Sequence, residues 1–400
     1  MIYYFILGRE NKISQKELEC VLAGFDFGLT DDSVSILTDQ ILEIKLDQDS
    51  KKVAELIKIL GGTVKIYQKI ASADEKLADL LAKENFSKKM IFAVSNYSKV
   101  KIDTFKLAIS AKKSVGKSIR VVDGKEDDRL SSAQSFQYKM DIENTEYGLF
   151  ETGIGKLIAV QDINDWSRRD YGKPRSDAVS GMLPPKLARM MVNLAVGQTR
   201  IMNKPDNFEL ISHDSCLVVD PFCGSGNILI EALSLGCDLI GSDLSERAVL
   251  DTKVNLGWFI NESGIINQKL STKPDDSVFV ADATKFDFSK IDRDFIIVSE
   301  PFLGQPRKAK LRIEEEIQAK KKITKVYLDF LKNLLTAGDR LRAVGLVFPL
   351  FELANGKKLS IFNESVDFIK EIGYAILCPP MEYGRDYQVV KRQIVLLEQK

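Results

Sequence analysis

The stretch FIIVSEPFLGQP, residues 295–306, runs an apolar strand into a polar pair, a proline and an aromatic ring. Strands of a parallel sheet end at a carboxyl edge where α/β proteins bind ligands, so Ser299, Glu300, Pro301 and Phe302 are expected in a ligand crevice. Ser299 and the Glu300 carbonyl can accept hydrogen bonds from an amine, Pro301 stiffens the loop, and Phe302 offers a face to a planar base. Such stacking is worth about 1–3 kcal/mol per base. The amine of a nucleobase is a poor nucleophile because its lone pair is delocalised into the ring. Acceptors aimed at its hydrogens stabilise the positive charge that grows as it attacks an electrophile.

A second stretch, LVVDPFCGSGNILIEA at 217–232, reads as a buried strand ending at Asp220, a tight turn with Gly224 and Gly226, and a helix. The free N–H groups of that helix start point at whatever lies over the turn, and the glycines permit close approach. A dinucleotide fingerprint would need a third glycine where Leu229 stands. The next strand ends in LIGSD, which puts Asp243 where a ribose diol would be held; NAD and S-adenosylmethionine fit this equally. A third strand ends in VADATKFD, and Asp282 there either reaches an adenine edge or simply closes a turn. The Ser-Glu-Pro-Phe stretch separates the two cofactors. It is similar to the short Asp/Asn/Ser-x-Pro-aromatic motif that follows the fourth strand in enzymes that methylate base amines.

Strand must alternate with helix to place these loops at one edge, and from residue 183 the pattern does so: LPPKLARMMVNLAVG as a helix stopped by Gly197, then CLVVD, GNILIEALSLG, DLIGSD, SERAVLDTKVNLGWFI, SVFVAD, FIIVSEPF, a long helix from residue 313 and AVGLVFPLF. This predicts a parallel sheet with helices on both faces. The terminal YGRDYQVVKRQIVLLEQ reads as an edge strand whose Arg385, Lys391 and Arg392 are solvated or touch RNA. Upstream, strand and helix patterns define an α+β unit over 1–70, with Ser14 and Glu17 spaced as a capping box at the start of the first helix. A second unit over 71–165 ends in a hairpin around Gly153 and Gly155. INDWSRRDYGKPRSDAVSG lacks an apolar period, and 166–180 is expected as linker before a domain at 181–400.

Lys plus Arg and Asp plus Glu both number 57, so no global field draws the chain to a polyanion, and any such binding needs a local patch. Lys99, Lys101, Lys106, Lys112, Lys113, Lys117 and Arg120 against the single acid Asp103 form one candidate, a phosphate-binding surface or a solvated helix face. SVGKSI around Lys117 ends like a phosphate loop but has Ala111 where the first glycine belongs. Five scattered cysteines and a lone histidine, His213, suggest reduced structural thiols in a cytoplasmic protein and no metal site. The apolar N-terminal run is too short for a signal peptide or a membrane span.

DPFCGSGNILIEA, IGSDLSERAVLDTKVNL and LPPKLARMMVNLA together resemble the THUMP-domain tRNA guanine-N2 methyltransferases, which modify the guanosine at tRNA position ten. The resemblance implies a ferredoxin-like α+β unit, a THUMP-like α/β RNA-binding domain and a C-terminal Rossmann-fold methyltransferase domain, with tRNA as partner and S-adenosylmethionine as cofactor. It implies that Asp220, Phe222, Gly224 and Gly226 form the cofactor loop, that Asp243 holds the ribose and Asp282 the adenine amine, and that Ser180, Gly181, Met182 and Leu183 close over the methionine end. The family pattern has Asp-Pro-Pro-Tyr where this chain has Ser299 to Phe302, and glycine where Asn227 stands. Methylation of adenine N6 or of another RNA guanine, and a catalytically weak tRNA-binding scaffold, are the alternative functions. The number of methyl groups, any activator protein and the oligomeric state are not specified by these residues.

Overall fold

A computed structural model describes residues 1–25, 27–84, 89–115, 118–124, 128–176, 182–203, 216–263, 274–304, 313–385 and 388–400. The chain divides into two units, Met1–Trp166 and Ser167–Lys400.

In the first unit, β1 (Ile2–Leu7), α1 (Asn11–Gly24), β2 (Val34–Thr38), β3 (Ile41–Lys45), α2 (Ser50–Ile59) and β4 (Thr63–Ala71) lead into α3 (Leu77–Lys83), β5 (Met90–Asn96), α4 (Thr104–Val115), β6 (Ile119–Val121), α5 (Ser132–Gln137), β7 (Thr145–Phe150) and β8 (Gly153–Val160). All eight strands share one sheet in the order β2-β3-β1-β4-β8-β7-β5-β6. The boundary expected at residue 70 falls at the end of β4, and the sheet runs through it because β4 pairs with both β1 and β8. Alternation along β5 sends Phe92 and Val94 into a core with Leu81 and Ala108, and Ala93 into another with Tyr67 and Phe150.

Ser14 and Glu17 do not cap α1, which starts at Asn11 with both residues inside it. Ser14 Oγ donates to the Glu10 carbonyl, while the buried Glu17 carboxylate accepts the Gly61 and Gly62 N–H groups, each at 2.8 Å. A Cβ on Gly62 would collide with Ser14, so packing requires glycine at this position. A buried network also crosses the sheet: Lys65 Nζ at 2.8 Å, Tyr67 and Ser95 hydroxyls at 2.6 Å, and the Ser135 hydroxyl all meet the Glu146 carboxylate.

α6 (Ile163–Tyr171) spans the division between the units, so the first part of the expected linker is helical. The second unit continues with α7 (Pro185–Asn203), β9 (Leu217–Asp220), α8 (Asn227–Ser234), β10 (Asp238–Asp243), α9 (Glu246–Ser263), α10 (Pro274–Ser277), β11 (Val278–Val280), β12 (Phe295–Ser299), α11 (Ile313–Leu334), β13 (Leu341–Glu352), β14 (Lys358–Ser360), α12 (Ile361–Glu371), β15 (Tyr374–Ile376), β16 (Met381–Tyr383) and β17 (Val390–Gln399). Gly197 does not stop α7, which runs on to Asn203; the helix up to Val196 is already packed, with Leu194, Ala195 and Val196 buried.

The sheet order is β11-β10-β9-β12-β13-β17-β15, with β14 on β13 and β16 on β17. β9 to β13 are parallel, whereas β17 runs antiparallel between β13 and β15. The terminal strand is therefore interior, not an edge, and the sheet is mixed rather than wholly parallel. From β9 the chain goes outward through β10 and β11 and returns on the other side as β12. This reversal opens a crevice at the carboxyl ends of β9 and β12. Val219, Ile297, Tyr327 and Phe330 belong to the core under α11, and Leu229, Leu239 and Leu256 to the core under α8 and α9.

Among the described residues no helix is long and apolar enough to cross a membrane. All five cysteines are free thiols. His213 and Lys117 lie outside the described residues.

Candidate active site

β9 carries Asp220 to the switch point and buries it, 1% exposed. Its carboxylate accepts the Phe222 N–H at 3.2 Å and the hydroxyl of Ser299, the last residue of the neighbouring β12. Burial pushes the Asp220 carboxyl up to about 7; the Ser299 and Phe222 donors pull against this, and the nearby Asp243 and Glu300 carboxylates add to it.

The turn after Asp220 has the geometry its glycines require. Gly224 and Gly226 have φ of +54° and +86°, in the left-handed region. Space beside Gly224 is open, whereas a Cβ on Gly226 would stand 3.0 Å from Thr252 Cγ2. The Thr252 hydroxyl donates to the Gly224 carbonyl at 2.8 Å, and the Asn255 amide to the Ser225 carbonyl at 2.8 Å, so α9 props the turn from below. Gly226→Ala is accordingly expected to destabilise the second unit by about 1–3 kcal/mol, from left-handed strain together with contact on Thr252. Equilibrium denaturation checks this; an unchanged midpoint would mean that the turn relaxes freely.

Asp243 ends β10 beside this turn. It accepts the Gly224 N–H at 3.0 Å on Oδ2 and the Ser245 N–H at 2.9 Å on Oδ1, which orients a half-buried carboxylate at the sheet edge. Open space at Gly224 and an oriented acidic acceptor next to it fit a nucleoside with a ribose diol. Asp282 is less open. Its Oδ1 accepts from the Thr284 N–H and hydroxyl and its Oδ2 from Lys285 Nζ at 2.8 Å, and Lys285 and Thr284 hold the carboxyl down to about 2. Phe222 packs edge-on against Phe330 of α11, with ring centroids 5.2 Å apart.

Met182 and Leu183 approach the same turn, through a Ser225 to Met182 sulfur contact and through Asn227, whose amide donates to the Leu183 carbonyl at 2.6 Å. Ser180 and Gly181 lie outside the described residues. Asn227 also accepts from buried Lys173, which explains a side chain at a position where glycine would leave Leu183 and Lys173 untied. Burial draws the Lys173 ammonium down to about 8, against the nearby Asp170 and Glu231 carboxylates. The sequence gives no sign of Lys173 as a site residue and marks Arg392 only as a solvated or RNA-touching side chain, whereas both are buried against partners far away in the chain.

Past Ser299, the loop presents three different faces. The Glu300 carboxylate pairs with Arg392 Nε at 2.5 Å, Pro301 is buried, and Phe302 is 45% exposed. Ser299 itself is 0% exposed. The structure thus brings Asp220, Gly224, Asp243 and Ser299 together at one edge with an accessible ring beside them.

The basic stretch belongs to the first unit. Lys99 and Lys101 precede α4, Lys106, Lys112 and Lys113 lie on it, and Arg120 is on the edge strand β6. All are exposed except the half-buried Lys112, and Lys106 pairs with Asp103 at 3.0 Å.

No family model matches the chain. A stretch of 146 residues is 32% identical to the tRNA (guanine(10)-N2)-dimethyltransferase of Methanocaldococcus jannaschii, covering 36% of this chain and 35% of that one. A stretch of 76 residues is 40% identical to the enzyme of the same name from Methanothermobacter thermautotrophicus, covering 19% of this chain and 18% of that one. Among solved structures, TrmN from Thermus thermophilus aligns over 100% of both chains at 14% identity with a TM-score of 0.46. The chain matches about a third or less of the length of these two curated relatives, and over that stretch it is similar to tRNA guanine-N2 methyltransferases.

Proposed function

We propose that this protein transfers methyl from S-adenosylmethionine to the exocyclic amine N2 of a guanine in tRNA, at position ten. The observation that carries this reading is the placement of the Ser299–Phe302 loop beside the Gly224 turn and Asp243 at one topological switch point. The names of the partly matching relatives support the same substrate.

In this reading Gly224, Gly226 and Asp243 hold the cofactor, with Met182 and Leu183 at its methionine end and Asp282 offering the residual acceptor capacity of its carboxylate to the adenine. Bound there, S-adenosylmethionine supplies an electrophilic methyl group. The chain's own residues then do three things. Phe302 stacks on the flipped guanine. The Glu300 carbonyl and the Ser299 oxygen accept hydrogen bonds from the N2 hydrogens and stabilise the charge that develops on nitrogen, and the methylated nitrogen then releases its extra proton to solvent. Ser299 keeps this accepting role because its own proton is donated to Asp220. The first unit, read as a THUMP-like module, grips RNA phosphates with the exposed lysines around α4 and Arg120.

Incubation with unmodified tRNA transcripts and methyl-labelled S-adenosylmethionine, followed by nucleoside mapping, tests this. Label on N2 of guanine ten is the expected result, and the same analysis distinguishes one methyl from the two in the relatives' names. Label on another base amine would discard the site and keep the chemistry. The complete burial of Ser299 favours one competing reading, a tRNA-binding scaffold without transfer. Intact tRNA binding with no label would establish it.

A further inference from the structure

Ser299, the last residue of β12, and Glu300, the first residue beyond it, are tied to strands on opposite flanks of β12. Ser299 donates to Asp220 on β9. Glu300 is gripped from the other flank by Arg392 of β17, with Nε 2.5 Å from Oε1 and Nη2 3.4 Å from Oε2. Register explains the reach: Ser299 pairs with Leu346 of β13, whereas Arg392 pairs with Pro349, three residues farther along the same strand. Arg392 therefore stands beyond the carboxyl edge, and its side chain spans β13 to meet the loop.

The pair is nearly dry, with 8% of the Arg392 side chain and 16% of the Glu300 side chain exposed. Burial raises the Glu300 carboxyl and the Arg392 guanidinium opposes that shift. Among the described residues, the other titratable groups facing the pair are Asp220 on β9, Tyr327 on α11 and Tyr383 on β16, and none of these three is a cation. Removing the arginine would leave a desolvated carboxylate in the middle of the loop.

We propose that Arg392 is a positioning residue: by fixing the Glu300 carboxylate toward β17 it makes Glu300 an anchor rather than an acid or base, and holds Ser299 and Phe302 in the geometry that receives the amine. The anchor role rests on the reading of this loop as the amine-binding site. Glu300 replaces the proline of the related motif, and in this chain the rigidity that a second proline would supply comes from an ion pair instead.

The test compares wild type with Arg392→Met, Arg392→Lys, Glu300→Gln and the Glu300→Gln/Arg392→Met double variant. One readout needs no activity, namely hydrogen–deuterium exchange of the peptide spanning 295–304, with the 217–226 peptide as control. The other is kcat and KM for tRNA between pH 6 and 9. Arg392→Met is expected to speed exchange in 295–304 only and to lower kcat about 10- to 100-fold with KM within threefold. It should also introduce a pH inflection from the unmasked Glu300, absent in the double variant. Lysine should restore part of kcat, and the double variant should lose no more than the worse single variant. Unchanged exchange in 295–304, or losses that multiply in the double variant, would overturn the proposal. Faster exchange in a protein whose wild type methylates no tRNA would keep the clamp and reject the methyltransferase reading.

Discussion

Methyl transfer by the Ser299→Ala/Phe302→Ala double variant is expected to fall about a thousandfold or more, with tRNA affinity nearly unchanged. Truncating Phe302 removes a stacking face worth about 1–3 kcal/mol, or roughly 5- to 150-fold. Its 45% exposure means that little folding free energy is lost with it. Ser299→Ala removes an acceptor aimed at the developing charge, a change that costs roughly 100- to 1,000-fold where such groups have been removed. Affinity is set chiefly by phosphate contacts far from these two side chains in sequence. Single-turnover rates together with filter binding check both halves. Wild-type rates in the double variant would sink the catalytic assignment of this loop, and Phe302→Tyr, which keeps the stacking face, should behave nearly as wild type.

Asp220→Asn should stabilise the second unit at pH 8 and do little at pH 4. The sign follows from where the proton is held. The ordinary carboxyl value is 3.8, and in the folded protein burial raises it to about 7. The folded state therefore binds the proton more tightly than the unfolded chain, so stability from this group is full below about pH 4 and is lost as pH rises toward 7. Above that it levels off. Three pKa units correspond to about 4 kcal/mol, an upper figure for a buried group beside two other carboxylates. Asparagine imitates the protonated form and still accepts from Ser299 and the Phe222 N–H, so the variant should lack this slope. Urea midpoints measured from pH 4 to 8 on both proteins give the comparison. A variant less stable than wild type by the same amount at every pH would show that Asp220 is ionised in the fold and held by its donors.

Local chemistry was legible from residues alone where one short segment carried the whole instruction. The apolar run 217–219, then Asp220, then two glycines at positive φ, specify strand, turn and helix start without reference to anything distant. The same holds for β10 ending at Asp243 and β12 ending at Ser299, and their order along the chain implied a shared sheet edge. What tertiary structure decided were the pairings between residues far apart. Ser14 and Glu17 have the spacing of a cap, yet Glu17 is more stable accepting two buried N–H groups 44 and 45 residues away. Gly197 resembles a helix stop, but α7 continues past it to Asn203 from a buried segment that ends at Val196. Insertion of β17 between β13 and β15 made an expected edge strand interior and buried Arg392. The Glu300 side chain, which the motif leaves open while giving its carbonyl a role, is paired with that arginine, 92 residues away. Periodicity and turn chemistry are written within about ten residues, whereas the partner of a buried charge is chosen by which strands end up adjacent. That choice follows from burying the most apolar surface and leaving no buried polar group alone.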